Sequence, residues 1–309
     1  MTTNHAATKL SLGPVLYYWN REQLLDFYDR IASTAVDIVY LGETVCAKRR
    51  ALRSEDWLSV AQMLTDAGKE VVLSSMTLIE AGSELGALKK LCDTTGYSIE
   101  ANDMGAVQLL SGKQSFITGP AINIYNHRTL KVLADRGMKR WVLSVELSRT
   151  TLAEIQAQRP PDVETEVFAY GKLPLAYSAR CFTARARNLP KDDCRFCCLD
   201  YPDGLLLSTR EDEAFLTLNG IQTQSAKTCN LVEDIDQLQA LGVDVLRISP
   251  QSQHTERIIE VFHQCLNGEL PPHDAHLILQ PFAPEGHCNG YWHGTAGMET
   301  STGEEITCR

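Results

Sequence analysis

The chain repeats short apolar runs, each followed by a segment in which apolar residues recur at helical spacing. The runs at Val36–Leu41 and Glu70–Ser75 are continuous rather than alternating, which is typical of parallel strands buried on both faces. Seven such units precede residue 170, and an eighth follows a break. Repeated strand–helix units with short loops predict the α/β class, and eight of them predict a (β/α)8 TIM-like barrel.

The predicted elements follow from this pattern. The strands are predicted at Leu10–Tyr18, Val36–Leu41, Glu70–Ser75, Ser98–Ala101, Phe116–Tyr125, Arg140–Glu146, Glu164–Tyr170 and Val243–Ile248. The helices are predicted at Arg21–Ala32, Ser54–Ala67, Ile79–Cys92, from Asp103 onward, Asn126–Arg136, Arg149–Gln158 and Thr255–Leu266. A doubly wound sheet is the alternative, but no Gly-x-Gly-x-x-Gly follows a strand to support a nucleotide site.

The eighth unit comes late because residues 171–230 do not follow the repeated strand–helix pattern. We interpret them as a long insertion after strand 7 of a single barrel domain that spans residues 1–309. Within the insertion, Leu205–Ser208 and Ala214–Leu218 predict a β-hairpin. The tail from Gln280 is rich in glycine and aromatic residues and predicts a docked, loop-like segment, with the last ten residues frayed.

The charge of the chain restricts its partners and its compartment. Its net charge of −10 argues against general binding of nucleic-acid phosphates, which favours clustered positive charge. The first nine residues lack the features of a secretory signal, and no apolar run approaches the roughly 20 residues that span a bilayer. We therefore expect a reducing, cytoplasmic location in a bacterium, where ten cysteines indicate metal ligands or core thiols before disulfides.

Four cysteines are concentrated in the insertion, at Cys181, Cys194, Cys197 and Cys198. Structural zinc sites usually combine two paired cysteine knuckles, whereas here there is one Cys-x-x-Cys and a lone cysteine. Iron–sulfur clusters accept less regular spacings, so the pattern favours a cluster. Five basic residues against two acidic ones give the stretch from Tyr177 to Cys198 a net charge of +3, which favours buried thiolates and predicts lowered thiol pKa values.

The fourth ligand is open at this stage. Adjacent Cys197 and Cys198 are not both expected to bind one cluster, and Cys46 is a candidate because it follows strand 2. In a parallel barrel the loops after strands 2 and 7 open on the same face. We interpret the remaining cysteines, which lie in helical or terminal contexts, as core or surface residues: Cys92, Cys229, Cys265, Cys288 and Cys308.

The run from Glu166 to Gly171, followed by Ser178-Ala179-Arg180-Cys181, resembles the Glu-x-Phe-x-x-Gly…Cys signature of the collagenase-like peptidase family. Most members carry a cysteine in a Gly-Ala-x-Cys run, but the chain has Pro174 at that position. There is no His-Glu-x-x-His and no recognisable Ser-His-Asp set, so we do not expect a peptidase.

Nearly the whole chain is similar to the branch of that family that serves oxygen-independent ubiquinone synthesis. The resemblance implies a [4Fe-4S] cluster bound by Cys46, Cys181, Cys194 and Cys198, with Cys197 as the spare thiol. It also implies a homologous partner subunit in a heterodimer, a sterol-carrier-like lipid-binding accessory protein, a prenylated quinone precursor as substrate, and prephenate as the oxygen donor in anaerobic ring hydroxylation.

Several polar residues lie at or just beyond the carboxyl-terminal parts of the predicted strands and are expected at the barrel mouth: Glu43, Asn102, Asp103, Asn123, Asn126, Glu146 and Arg247. Asp103 and Asn126 precede helices, so capping is the favoured interpretation for them. Glu43, Glu146 and Arg247 are the candidate catalytic residues.

Three hypotheses of function follow. The cluster transfers electrons or stabilises a radical step at the mouth, or the chain is mainly a cluster-bearing subunit whose chemistry is assembled at the heterodimer interface. The alternative from another class is a metal-containing factor for RNA modification, which the negative charge disfavours.

Overall fold

The computed structural model describes residues 7–301 of the chain. The strands in this range are β1 Lys9–Leu12, β2 Ile38–Leu41, β3 Glu70–Ser74, β4 Ser98–Ala101, β5 Phe116–Thr118, β6 Met138–Val142, β7 Glu164–Tyr177, β8 Leu205–Ser208, β9 Ala214–Asn219, β10 Gln222–Asn230, β11 Val245–Ile248 and β12 His287–Cys288. Strands β1 to β7 pair in sequence order, and β11 pairs in parallel with both β7 and β1. The ring of eight parallel strands is closed, which confirms the predicted (β/α)8 barrel.

Helices follow the barrel strands on the outside. The α-helices are α1 Arg21–Ala32, α2 Ser54–Asp66, α3 Gly82–Cys92, α4 Met104–Leu110, α5 His127–Ala134, α6 Arg149–Gln156, α7 Phe182–Ala186, α8 Ile235–Ala240, α9 Thr255–Leu266, α10 Pro272–Leu279 and α11 Gly290–His293. The Asp103 side chain accepts from the backbone N–H of Gly105, and Asn126 accepts from Arg128 and Thr129. These contacts satisfy donors that the first helical turn leaves free, so the capping interpretation of both residues is confirmed.

Besides β6, which stops at Val142 rather than at Glu146, two predicted strands end earlier in the structure than the apolar run suggested. Strand β1 stops at Leu12 rather than at Tyr18, and β5 stops at Thr118 rather than at Tyr125. Each strand is followed by glycine and then proline, at Pro14 and Pro120. Proline has no N–H to donate to a neighbouring strand, so the ladder ends there although apolar residues continue.

The insertion is built on an extension of the seventh strand. Strand β7 continues to Tyr177, beyond its predicted end at Tyr170, and pairs with β10 in the antiparallel direction. The predicted hairpin is present as β8 and β9, and β10 adds a strand that the sequence did not predict. Residues 171–230 therefore form an antiparallel extension that carries the cysteines above the barrel mouth.

The tail is more ordered than the predicted loop. Helix α10, which precedes it, was not predicted, and β12 pairs with β10 so that His287 and Cys288 lie opposite Thr228 and Cys229. Helix α11 then buries Trp292 in the main core. Cys308 and the end of the predicted frayed segment lie outside the described residues.

Gly171 occupies a conformation that the signature glycine makes possible. Its φ angle is +132°, and a Cβ atom there would lie 2.5 Å from Ser249 Cβ. We expect Gly171→Ala to lower the free energy of unfolding by about 1–3 kcal/mol, because the backbone would be strained and the mouth overpacked. Urea denaturation measures this change.

Gly86→Ala is the matched control for that substitution. Gly86 lies inside exposed helix α3, and a Cβ there meets nothing within 4 Å. Alanine should raise the stability by about 0.5–1 kcal/mol, because glycine loses more conformational freedom in a helix. Equal effects of the two substitutions would contradict the steric role of Gly171.

Candidate functional site

A buried ion network lies in the barrel interior below the mouth. Arg247 on β11 donates from Nε to Glu166 Oε1 at 2.7 Å and from Nη1 to Glu100 Oε1 at 2.8 Å. All three side chains are at most 3% exposed. Ser11 Oγ and Tyr40 OH each donate to Glu166 at 2.5 Å, and the Arg247 guanidinium lies 4.0 Å from the centre of the Tyr40 ring. The network joins five barrel strands, β1, β2, β4, β7 and β11.

Burial and neighbouring charges determine the protonation of Glu166 and Tyr40 in this network. Burial raises the pKa of Glu166, but the charges of Arg247 and Arg140 outweigh burial and hold that pKa below its usual value. Burial raises the pKa of Tyr40 well above its usual value. Glu166 is therefore an anion and Tyr40 a neutral donor at neutral pH.

A small cavity opens above the network at the carboxyl ends of the strands. We call it the mouth cavity, and its polar lining consists of Thr44, Thr77, Glu100, Asn102, Arg247 and Ser249. Two buried polar atoms that belong to this lining, Arg247 Nη2 and Thr44 Oγ1, have no hydrogen-bond partner within residues 7–301. Such atoms are costly to bury unsatisfied, so they mark where a ligand can bind.

The loop after β2 carries Cys46 toward the insertion. Glu43 Oε1 accepts from the backbone N–H groups of Val45 and Cys46, at 2.9 and 3.0 Å, which fixes the turn that presents the thiol. Lys48 Nζ donates to the carbonyl of Lys191 and to Asp192 Oδ1. The loop and the insertion, about 145 residues apart in sequence, are thus held together.

The insertion cysteines lie on short turns. Cys181 is the N-cap of α7, and its Sγ accepts from the Ala184 N–H at 3.4 Å. Arg195 and Phe196, between Cys194 and the adjacent pair, both have left-handed backbone conformations, with φ angles of 51° and 53°. This double left-handed turn brings Cys197 and Cys198 back toward Cys194. Such conformations are unusual for residues other than glycine and tend to occur at functional sites.

The thiols of both segments interact electrostatically. Cys181 contributes to raising the pKa of both Cys46 and Cys198. Cys181 and Cys194 contribute to raising the pKa of Cys197. The five sulfur atoms therefore share one region at the mouth, half-buried between two chain segments.

Burial, however, is the largest influence on these thiols. It raises the pKa of Cys46 and Cys197, and it raises that of Cys198 to about 11 even though the charge and hydrogen bond of Arg49 act to lower it. The predicted lowering of thiol pKa values is wrong for these three residues. The reason is that the basic residues counted from sequence are largely exposed to solvent, where their charges are screened.

Arg49 is a buried cation that reaches the thiols and that the sequence interpretation missed. Its side chain is 2% exposed, donates to the Leu16 carbonyl and to Asn219 Oδ1 at 2.7 Å each, and lies 3.9 Å from Glu43. Its Nε has no partner within residues 7–301. The basic run Lys48-Arg49-Arg50, directly after Cys46, was the available signal.

The candidate catalytic residues occupy different places. Arg247 lines the mouth cavity, whereas Glu43 supports the Cys46 loop. Burial raises the pKa of Glu43. Glu146 is exposed and accepts a hydrogen bond from Tyr125 OH. The structure therefore does not bring the three together. Sequence analysis missed Glu100 as a mouth residue, although a carboxylate inside the short strand Ser98–Ala101 was a usable signal.

Among the described residues the other cysteines are buried in the core, although one of them lies in a different element from the predicted one. Cys92 and Cys265 are buried in helices, as predicted. Cys229 lies in strand β10 rather than in a helical or terminal segment, and it is the register partner of Cys288 in β12.

Within residues 7–301, no group of three or more His, Cys, Asp or Glu side chains is placed to hold a single metal ion. A four-thiolate zinc site has metal–sulfur distances of about 2.3 Å and needs sulfurs close to one another. In a cubane cluster each cysteine binds a different iron, so the thiolates are spaced more widely. The five cysteines of this region are free thiols of intermediate burial, and Arg49 Nε has no partner within residues 7–301.

A closed (β/α)8 barrel with a thiol-rich insertion over a polar mouth defines the class of this protein. The chain matches Peptidase family U32 over residues 23–299, and it belongs to that family. The family-level resemblance of the Glu-x-Phe-x-x-Gly signature is thereby confirmed.

Relatives of known name give a second comparison. The chain is 26% identical over 223 residues to tRNA hydroxylation protein P of Haemophilus influenzae, and 25% identical over 199 residues to tRNA hydroxylation protein P1 of Bacillus subtilis. These matches cover 55% and 57% of the chain and 48% and 45% of the relatives, so the chain spans about half the length of the curated relatives it matches. The U32 peptidase Mk0906 has a TM-score of 0.45 at 9% identity, over 82% of this chain and 97% of that one.

Among the described residues, no helix combines the length and apolar character required to cross a membrane.

Proposed function

We propose that this chain is an iron–sulfur protein of oxygen-independent ubiquinone synthesis, similar to the bacterial protein UbiV, and that it serves anaerobic ring hydroxylation of prenylated precursors. The observation that carries the proposal is the convergence of Cys46 with the insertion thiols beside the mouth cavity. Leu16 and Tyr177 line the cavity and also belong to the apolar cluster around Cys46 and Cys181. A redox group and a substrate would therefore be neighbours.

Cys46, Cys181, Cys194 and Cys198 are the proposed cluster ligands. When bound, a [4Fe-4S] cluster supplies one-electron transfer at a potential set by charge, hydrogen bonds and exposure. The residues of the chain serve it in distinct ways: Glu43 orients the Cys46 loop, and buried Arg49 offsets the negative charge of the thiolates. Prephenate is the proposed oxygen donor in place of O2.

A homologous UbiU-like subunit is the proposed partner, in a heterodimer, and a sterol-carrier-like protein is proposed to present the lipid. Among the described residues, eleven large apolar side chains are exposed, and five of these lie between residues 196 and 215. They are Phe196, Leu199, Leu206, Leu207 and Phe215. Clustered exposed apolar residues are typical of interaction surfaces, so this part of the insertion supports the partner proposal.

A second candidate function is hydroxylation of tRNA. The observation that favours it is the printed name of the two relatives, tRNA hydroxylation protein P and P1. The net charge of −10 counts against a large phosphate-binding surface. Both candidates are hydroxylations on the same family scaffold, and they differ in substrate.

One experiment separates the two. Bacteria that lack this chain are grown without O2, and ubiquinone, its unhydroxylated precursors and hydroxylated tRNA nucleosides are all quantified by mass spectrometry. We expect precursors to accumulate and ubiquinone to return when this chain is supplied; in a strain that also lacks the homologous partner, both proteins must be supplied. Normal ubiquinone with missing tRNA hydroxylation would replace the first proposal with the second.

A further inference from the structure

The segment that carries Cys194 lies between two left-handed backbone positions. Asn188 precedes it with a φ angle of 55°, and Arg195 and Phe196 follow it with φ angles of 51° and 53°. Residues other than glycine adopt such angles rarely, and those that do are concentrated at ligand clamps and switch regions. We call residues 189–194, between these two hinge points, the lid.

The lid is not anchored by a buried side chain. All of its residues are partly or fully exposed, and the 3-10 turn Lys191–Asp193 at its centre buries nothing. Two of its backbone N–H groups bond locally, Leu189 to the Ala184 carbonyl and Asp193 to the Pro190 carbonyl. Segments with few buried contacts open at low free energy while the rest of a domain stays folded. The lid can therefore move without unfolding of the barrel.

Two lysines hold the lid against the barrel. Lys191 Nζ donates to both carboxylate oxygens of Glu80, in the loop after β3, at 2.6 and 2.7 Å. Lys48 Nζ, in the loop after β2, donates to the Lys191 carbonyl at 2.9 Å and to Asp192 Oδ1 at 3.0 Å. We call these four residues the latch. Ion pairs that solvent reaches stabilise a structure only weakly, so the latch holds the lid without locking it.

A cavity of about 380 Å³ lies behind the latch. All four latch residues line it, and so does Cys46. The latch thus forms part of the wall around the space that leads to the Cys46 thiol. Release of the latch would widen this access and would move Cys194, which the lid carries, away from Cys46.

We propose that the lid opens by release of the latch and admits reactants to Cys46, and that the Lys191–Glu80 and Lys48–Asp192 pairs determine how often it opens. The inference rests on the proposed function only for what enters, which would be the iron and sulfide of the cluster. Access to the thiol is a property of the chain before any cluster is bound. Because the lid carries one of the proposed ligands, its closure would complete the site and cover it.

Alkylation of Cys46 in the reduced, metal-free full-length chain measures how often the lid is open. Iodoacetamide, which is uncharged, is added, and the alkylated fraction of each cysteine peptide is followed by mass spectrometry. We expect Lys191→Met and Glu80→Ala each to accelerate alkylation of Cys46 about threefold, as expected for loss of one partly exposed ion pair. Added salt should accelerate the wild type, because salt screens the latch, and should affect both variants less.

The two variants together control for thiol acidity. Lys191→Met removes a positive charge, which disfavours the thiolate, whereas Glu80→Ala removes a negative charge, which favours it. Acceleration in both therefore reports opening of the lid rather than a change in thiol pKa. Lys131→Met is the matched control, because Lys131 pairs with Asp135 at 2.8 Å but does not line the cavity. Its Cys46 should react as in the wild type.

Cys265, buried in α9, reports unfolding of the barrel and should react equally slowly in every variant. Equal alkylation of Cys46 in the wild type and both latch variants would overturn the proposal. Opposite effects of the two variants would also overturn it, since they would indicate thiol acidity, and so would acceleration of Cys265 together with Cys46, since it would indicate global unfolding.

These rates need no iron, no partner and no quinone, so they fail independently of the anaerobic growth experiment. A chain whose lid opens but which restores no ubiquinone would retain the lid and lose the proposed pathway.

Discussion

Replacing Cys194 with alanine is expected to abolish binding of the proposed iron–sulfur cluster. Anaerobically purified wild type should carry about four iron and four sulfide per chain and a broad visible absorption band. The variant should retain little of either, because a cubane that loses one of its four thiolates is left with an open iron. Cys46→Ala should give the same result, since that thiol reaches the site from the other chain segment.

Cys197→Ala is the matched control, because it removes the neighbouring thiol that we propose to be spare. Its iron and sulfide content should equal that of the wild type. Loss of iron in Cys197→Ala with retention in Cys198→Ala would exchange the roles of these two residues. A colourless wild type with one bound zinc would contradict the cluster. It would instead indicate a structural metal site and favour tRNA hydroxylation as the function.

Replacing Arg247 with methionine is expected to cause the largest loss of stability. Two carboxylates, Glu100 and Glu166, would remain buried without their cation. Breaking a buried ion pair from one side costs about 3–5 kcal/mol, so the urea midpoint should fall sharply. Arg21→Met is the matched control: Arg21 pairs with Asp56 at 2.8 Å, but its side chain is 54% exposed, and the cost should not exceed about 1 kcal/mol.

The pH dependence of this effect follows from Glu166. Its folded-state pKa is lowered, so its contribution to wild-type stability is present above the unfolded pKa and is lost as the pH falls through the folded pKa. The difference in free energy of unfolding between wild type and Arg247→Met should therefore shrink in acid. Protonation there removes the cost of burying an unpaired carboxylate. A difference that stays below 1 kcal/mol at pH 7 would show that these carboxylates do not depend on Arg247.

The barrel could be predicted from the sequence because its signals are local. Continuous apolar strands, helical spacing and the caps at Asp103 and Asn126 act within a few residues, and the hairpin of β8 and β9 has the same local character. The strand ends were less accurate, since the apolar runs continue past Pro14 and Pro120. Strand β10 was missed because it gains its stability by pairing with β7 rather than from its own composition.

The density of cysteines in the insertion and the candidacy of Cys46 and Arg247 were determined by the sequence alone. Only the tertiary structure decided that Arg247 meets Glu166 and Glu100, which lie 81 and 147 positions away, and that the buried Arg49 reaches Cys198. Such contacts depend on strand register, because a slip of one residue turns a side chain to the opposite face of the sheet. They also depend on burial, which determines how strongly a charge acts and which no count of residues reveals.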